Sequence, residues 1–156
     1  MKNNIDICIH DIDEPAWTHR VEEFLYEVLE RRNHRQWQVS VLFCADTYMQ
    51  ELNYQYRQKE GSTDVLSFEQ GFEYTHEDGN TYYVAGDIAI SLDFLYKNAK
   101  DFAVSPDEEL KRLLIHGILH LEGYDHGDAH IGEEINEMFT LQEEILKTFQ
   151  DYNIIG

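Results

Sequence analysis

Residues 5–44 run IDICIH (Ile5–His10), WTHRVEEFLYEVLER (Trp17–Arg31) and WQVSVLFC (Trp37–Cys44) in succession, and this order decides the fold class. Ile5–His10 alternates apolar and polar residues at the strand period of two. Trp17–Arg31 repeats its apolar residues at the helical period, and Trp37–Cys44 is rich in valine and aromatic side chains. A helix between two such strands implies a parallel βαβ start. Asp46 or Thr47 can cap a second helix that runs to about Gln58. Val65–Phe68 and Tyr82–Ser91 supply two further strands, and the polar stretch joining them holds Gly71 and Asp78-Gly79-Asn80. A connection this short makes the pair antiparallel, so the sheet is mixed.

From Ser91 onward the pattern is helical. Leu92–Phe102 forms one helix, and Ser105-Pro106-Asp107-Glu108 opens the next with a serine cap, proline at the first helical position and glutamate at the third. A last amphipathic helix covers Ile131–Phe149. The expectation is an α+β protein, a single domain over residues 1–156, with a four-stranded mixed sheet and about five helices. No apolar run approaches a membrane span and no N-terminal segment resembles an export signal, which points to a cytoplasmic protein. Cys8 and Cys44 each fall in an apolar strand-like run, where buried reduced thiols are expected rather than a disulfide or metal ligands.

Within the helix opened at Ser105 lies His116-Gly-Ile-Leu-His120-Leu-Glu-Gly123-Tyr-Asp-His126. His116 and His120 are one helical turn apart, so their imidazoles project from one side and can share one ion. Gly123 suits the left-handed conformation that ends a helix and turns the chain back. That turn would bring His126 in as a third ligand and leave the fourth position open, the arrangement of a catalytic rather than a structural zinc. Leu110, Leu113, Leu114, Gly117 and Leu121 form the apolar stripe, and the histidine pair stands at its edge. His130, Glu122 and Asp128 lie nearby and could add ligands, although each reads more readily as a solvated residue.

The same offsets occur in zinc peptidases with the HExxHxxGxxH pattern, but Gly117 stands where those enzymes carry their general-base glutamate. Without that carboxylate the usual peptidase mechanism lacks its proton acceptor. The vacated space suits a bulkier substrate or a water. Gly117 also falls on the core stripe, where it can permit close helix packing at a cost of about 1 kcal/mol in helix propensity.

Three more segments accompany the histidine run: Leu-Asn-Tyr-Gln-Tyr-Arg57, Thr63-Asp-Val-Leu-Ser-Phe68 and Gly86-Asp-Ile-Ala-Ile-Ser91. Together and in this order they resemble the bacterial YbeY family, the single-strand-specific endoribonucleases of ribosomal RNA maturation. Ser62 stands where that family usually has proline, and Glu122 where it usually has leucine; neither is a ligand position. The resemblance implies a metal-dependent endoribonuclease acting on precursor ribosomal RNA at the small-subunit 3′ end, in contact with the ribosome or its proteins. It implies His116, His120 and His126 as ligands to one zinc or another divalent transition metal, with His116 and Arg57 as catalytic residues. A guanidinium at position 57 is suited to two-point binding of phosphate, although a cation at a helix C-terminus is also favoured by the helix dipole. Asp125 can support an imidazole N–H or serve a turn. Asp64 and Asp87 read as cleft or turn residues. Two other readings stay open: a zinc hydrolase of another class, including a peptidase, and a ribosome assembly factor with a structural metal.

A net charge of −19 opposes binding to RNA at long range. Local charge offers an answer, because seven of the twelve basic residues precede position 60, among them Arg31, Arg32, Arg35, Arg57 and Lys59. Residues 105–156 hold twelve acidic and three basic residues, a solvated acidic face or a dock for a basic ribosomal protein.

Overall fold

In chain order the elements are β1 (Asn4–His10), α1 (Thr18–Arg31), β2 (Trp37–Cys44), α2 (Asp46–Arg57), β3 (Val65–Thr75), β4 (Thr81–Ser91), α3 (Leu92–Asp101), α4 (Pro106–Leu121) and α5 (Ile131–Thr148). The computed structural model describes residues 2–58, 61, 63–124 and 131–156, with backbone alone from 131 to 136. The four strands form one sheet in the order β1-β2-β4-β3. β1 and β4 run parallel to β2, and β3 is antiparallel to β4. The expected α+β single domain with a mixed sheet is what forms.

Alternation along the strands sorts the side chains into two layers. Val39, Val41 and Phe43 of β2 and Ile88 and Ile90 of β4 pack with α1, α3, α4 and α5 in the main core. Leu42, Cys44, Leu66 and Ala89 point the other way and meet Met49 and Leu52 of α2. Helix α2 therefore lies on one face of the sheet and α4 on the other.

Caps fix where the helices begin. Ser91 Oγ accepts from Phe94 N at 3.3 Å to start α3, and Ser105 Oγ accepts from Glu108 N at 3.1 Å to start α4. Such a cap contributes about 1 kcal/mol. The expected cap of α2 is different: Ala45 occupies the cap position without a side-chain bond, and Asp93 of α3 accepts from Asp46 N at 2.8 Å instead. Further along α4, buried Asp107 and Lys111 form an ion pair at 3.1 Å. Asp107 Oδ1 accepts from Ile154 N and Ile155 N, while Lys111 Nζ donates to the carbonyls of Phe149 and Tyr152. Both buried charges thereby keep hydrogen-bond partners, and the segment after α5 is tied to the first turns of α4.

Two expectations fail here. β3 does not stop at Phe68 but continues to Thr75, so Gly71 lies inside the strand, with φ at +71°, and the hairpin connection shortens to residues 76–80. Cys8 is exposed, because its position on β1 faces away from the main core; Cys44 is buried as expected, and burial together with the nearby charges of Asp46 and Asp93 pushes its thiol up to about 11.

Candidate active site

Helix α4 is laid against the sheet at two glycines. Gly117 sits over Ile88: a Cβ added there would stand 2.7, 2.9 and 3.0 Å from three Ile88 side-chain carbons. Gly86, two residues before Ile88 on β4 and with φ at +148°, has no room for a side chain, since its Cβ would meet Phe68 O at 2.2 Å and Leu121 Cδ2 at 2.8 Å. Successive turns of α4 thus cross Ile88 and then Gly86, antiparallel to β4 and parallel to β3. The space at Gly117 is filled by Ile88, not by substrate or water. A side chain at that position would enter the core, so the expectation of catalytic room there is wrong, and close packing accounts for the glycine.

His116 and His120 project from the adjacent edge of α4, half-buried, with ring centroids 4.7 Å apart and planes inclined at 73°. Nδ1 of His116 lies 2.7 Å from Oε1 of Gln142 on α5. A carboxamide oxygen only accepts, so this bond places a proton on Nδ1, and in the neutral imidazole it leaves the Nε2 lone pair that a metal ligand requires. Gln142 is 3% exposed, and its Nε2 in turn donates to Glu143 at 3.2 Å. Sequence spacing gave no sign of Gln142, which lies 26 positions away on another helix. Ser67 is a second missed residue. It pairs with Ile88 across the β3–β4 ladder, on the face that carries Val65 into the core with α4. Its Oγ is buried without a hydrogen-bond partner among the described residues. Two imidazoles one helical turn apart, one of them oriented through its Nδ1, are a donor set that fits a metal ion.

His126, Asp125, Asp128 and His130 lie outside the described residues, and among the described residues no three potential ligands gather as a metal-binding group. Arg57 is the exposed last residue of α2, on the opposite face of the sheet from α4. The geometry therefore brings together His116, His120 and Gln142 but does not set Arg57 in the packing of α4. Asp64 opens β3: its Oδ1 accepts from Val65 N at 2.8 Å and its Oδ2 from Asn98 Nδ2 at 3.0 Å, beside the cavity that His116 lines. Asp87 accepts from Gln70 at 3.2 Å and lines a separate hollow with Tyr56 and Phe68 of the α2 face.

Glu122 is not solvated. Its carboxylate takes a two-point bond from Arg32, at 3.1 and 2.7 Å, and a further contact from His34, which stacks on Trp37 with centroids 3.7 Å apart. Burial pushes the Glu122 carboxyl up, but the bonds from His34 and Arg32 outweigh it and hold the group below its ordinary range. Arg32 is thereby spent on the C-terminal end of α4, and Arg31 on Glu27, the Thr148 carbonyl and the Phe149 ring. Of the cations expected to offset the acidic surface toward RNA, Arg32 is therefore an internal partner, while Arg31 stays half-exposed.

The Endoribonuclease YbeY family model matches residues 3–150. A protein of that name from Treponema denticola is 48% identical over 157 residues, covering 99% of this chain and 98% of the relative. Another, from Treponema pallidum, is 42% identical over 144 residues, with 92% and 88% covered. The solution structure of a Thermotoga maritima protein superposes with a TM-score of 0.63 at 28% identity, covering 95% of this chain and 91% of that one. Fold and near full-length similarity agree, and the chain belongs to the Endoribonuclease YbeY family, enzymes that cleave RNA internally.

Proposed function

We propose that residues 1–156 form one metal-dependent endoribonuclease domain that cuts single-stranded regions of precursor ribosomal RNA, at the 3′ end of the small-subunit RNA, during ribosome biogenesis in the cytoplasm. His116, His120 and His126 would hold one divalent ion, with zinc the ion that imidazole donors at helical spacing suit well. The observation that carries this reading is the pair of imidazoles with ring centroids 4.7 Å apart, one of them oriented by Gln142 through its Nδ1. When bound, such an ion supplies Lewis acidity toward a phosphodiester and a water acidic enough to ionise near neutral pH. The chain's own contribution is orientation: Gln142 holds the His116 ring and its Nδ1 proton, and the Arg57 guanidinium binds a phosphate oxygen pair from the other side of the β3 edge. Gly117 stands where a peptidase of this histidine spacing carries its general-base glutamate, which speaks against a peptidase. No helix among the described residues is long and apolar enough to cross a membrane.

The test is incubation of the zinc-loaded protein with single-stranded and duplex RNA and with a peptide mixture, alongside elemental analysis of wild type and His120→Ala. Cleavage of single-stranded RNA alone, one metal per chain in wild type and loss of both in the variant are expected. Full metal content in a variant lacking all three histidines would refute the ligand set. Peptide cleavage without RNA cleavage would refute the substrate.

A further inference from the structure

Beside His116, between the start of β3 and helices α3, α4 and α5, the structure holds a cavity of ≈ 520 Å³, within the range of roughly 300–1,000 Å³ that accommodates small organic ligands. Its walls are of two kinds. Phe102 and Phe139 line it while remaining 64% and 44% exposed, and the Phe139 ring lies 26° from parallel with the His116 imidazole, centroids 6.0 Å apart. Aromatic surface left toward solvent at a cavity mouth is suited to stacking a flat ring. The inner wall is acidic. Asp64 and Glu109 carry carboxylates there, and the cavity's Arg112 is already bound by Glu108, Glu109 and Glu143 through four hydrogen bonds of 2.9 to 3.1 Å. That charge balance repels a phosphate, while Asp64 Oδ2, which takes one bond from Asn98, can accept a further N–H donor. A nucleotide would therefore enter with its base foremost and its phosphate toward the mouth.

We infer that this cavity is a nucleobase subsite: one base flanking the scissile phosphate leaves its stack and inserts against Phe139 and Phe102, with its N–H edge toward Oδ2 of Asp64. The inference rests on the RNA-cleaving reading of the histidine site. It also gives a negatively charged protein a means of holding RNA that does not depend on neutralising phosphates, since stacking on aromatic rings has no charge requirement.

A double-substitution cycle tests it. Short single-stranded oligoribonucleotides, intact or carrying one abasic position at each place around the cut, are cleaved by the zinc-loaded wild type, Phe139→Ala, Phe139→Tyr and Phe102→Ala. Phe139→Ala should lower kcat/KM on the intact substrate by roughly 5- to 150-fold, and Phe139→Tyr should restore most of it. At one position the abasic substrate should lose as much with wild type, and Phe139→Ala should lose nothing further on it; Phe102→Ala should follow the same pattern more weakly. An equal fractional loss on intact and all abasic substrates overturns the subsite, as does failure of tyrosine to rescue. If wild type leaves intact single strands uncut, the proposed function falls and the subsite with it, a result distinct from cleavage that is insensitive to the missing base.

Discussion

Gly117→Ala is the substitution whose outcome the structure fixes most tightly. The added methyl would sit 2.7 Å from Cδ1, 2.9 Å from Cγ1 and 3.0 Å from Cγ2 of Ile88. Ile88 is fully buried on β4, flanked by β2 and β3, so it has no solvent side toward which to rotate. Overpacking of this kind costs about 1–3 kcal/mol, whereas alanine in place of glycine inside a helix returns about 1 kcal/mol. The net expectation is a loss of about 0–2 kcal/mol, where an unobstructed glycine would give a gain. Ile88→Val removes Cδ1, the nearest carbon, and by itself should cost about 0.5–1.5 kcal/mol. The double variant should then be more stable than the sum of the two single losses by about 1 kcal/mol. Urea unfolding of the four proteins measures all of these quantities. A stabilised Gly117→Ala with additive double-variant behaviour would refute the packing account and reopen the position to a role beside the histidines. Gly117→Glu, which drives a carboxylate into the same space, should lose metal and activity together through unfolding.

Three further outcomes follow from neighbouring contacts. Glu122→Gln should cost about 1–3 kcal/mol near neutral pH; because the native carboxyl lies below its ordinary range, the wild-type advantage should be complete above about pH 5 and shrink as pH falls through the folded-state value, so a pH-independent difference in unfolding free energy would contradict the clamp. Gln142→Leu should weaken zinc binding by about 10- to 100-fold in chelator competition, with Gln142→Glu, which keeps an acceptor for Nδ1, retaining most of the affinity; unchanged affinity in the leucine variant would remove the orienting role. Arg57→Ala should keep metal and thermal midpoint while lowering RNA turnover by roughly 10- to 1,000-fold, and Arg57→Lys should recover only part of it; a loss proportional to the unfolded fraction would reduce Arg57 to a helix-end residue.

What the sequence could disclose followed from its periodicities. Strands with one buried face, helices with an apolar stripe and the Ser105-Pro106 start were legible because each writes a local pattern. The far half of β3 was not, since residues 69–75 are exposed and no burial alternation marks them. The histidine pair was visible through spacing within one helix. Its support was hidden for the same reason that made it necessary: Gln142 comes from another helix, and Arg32 and His34 reach Glu122 across 90 and 88 positions. No periodicity encodes such a meeting. Gly117 was legible as either packing or chemistry, and only the Ile88 side chain decides between them.

Helix α4 has consequences for how damage to this protein would register. From Leu110 to Leu121 every residue but Arg112, His116 and His120 is buried, and neighbours on α3, α5, β3 and β4 enclose the helix. Amides in such a segment exchange with solvent only when the whole domain opens. His116 and His120 therefore inherit the global protection factor, and core substitutions should change how many molecules are competent at a given moment while each competent molecule keeps its rate constant. Counting active sites by metal titration, and not turnover alone, would separate the two.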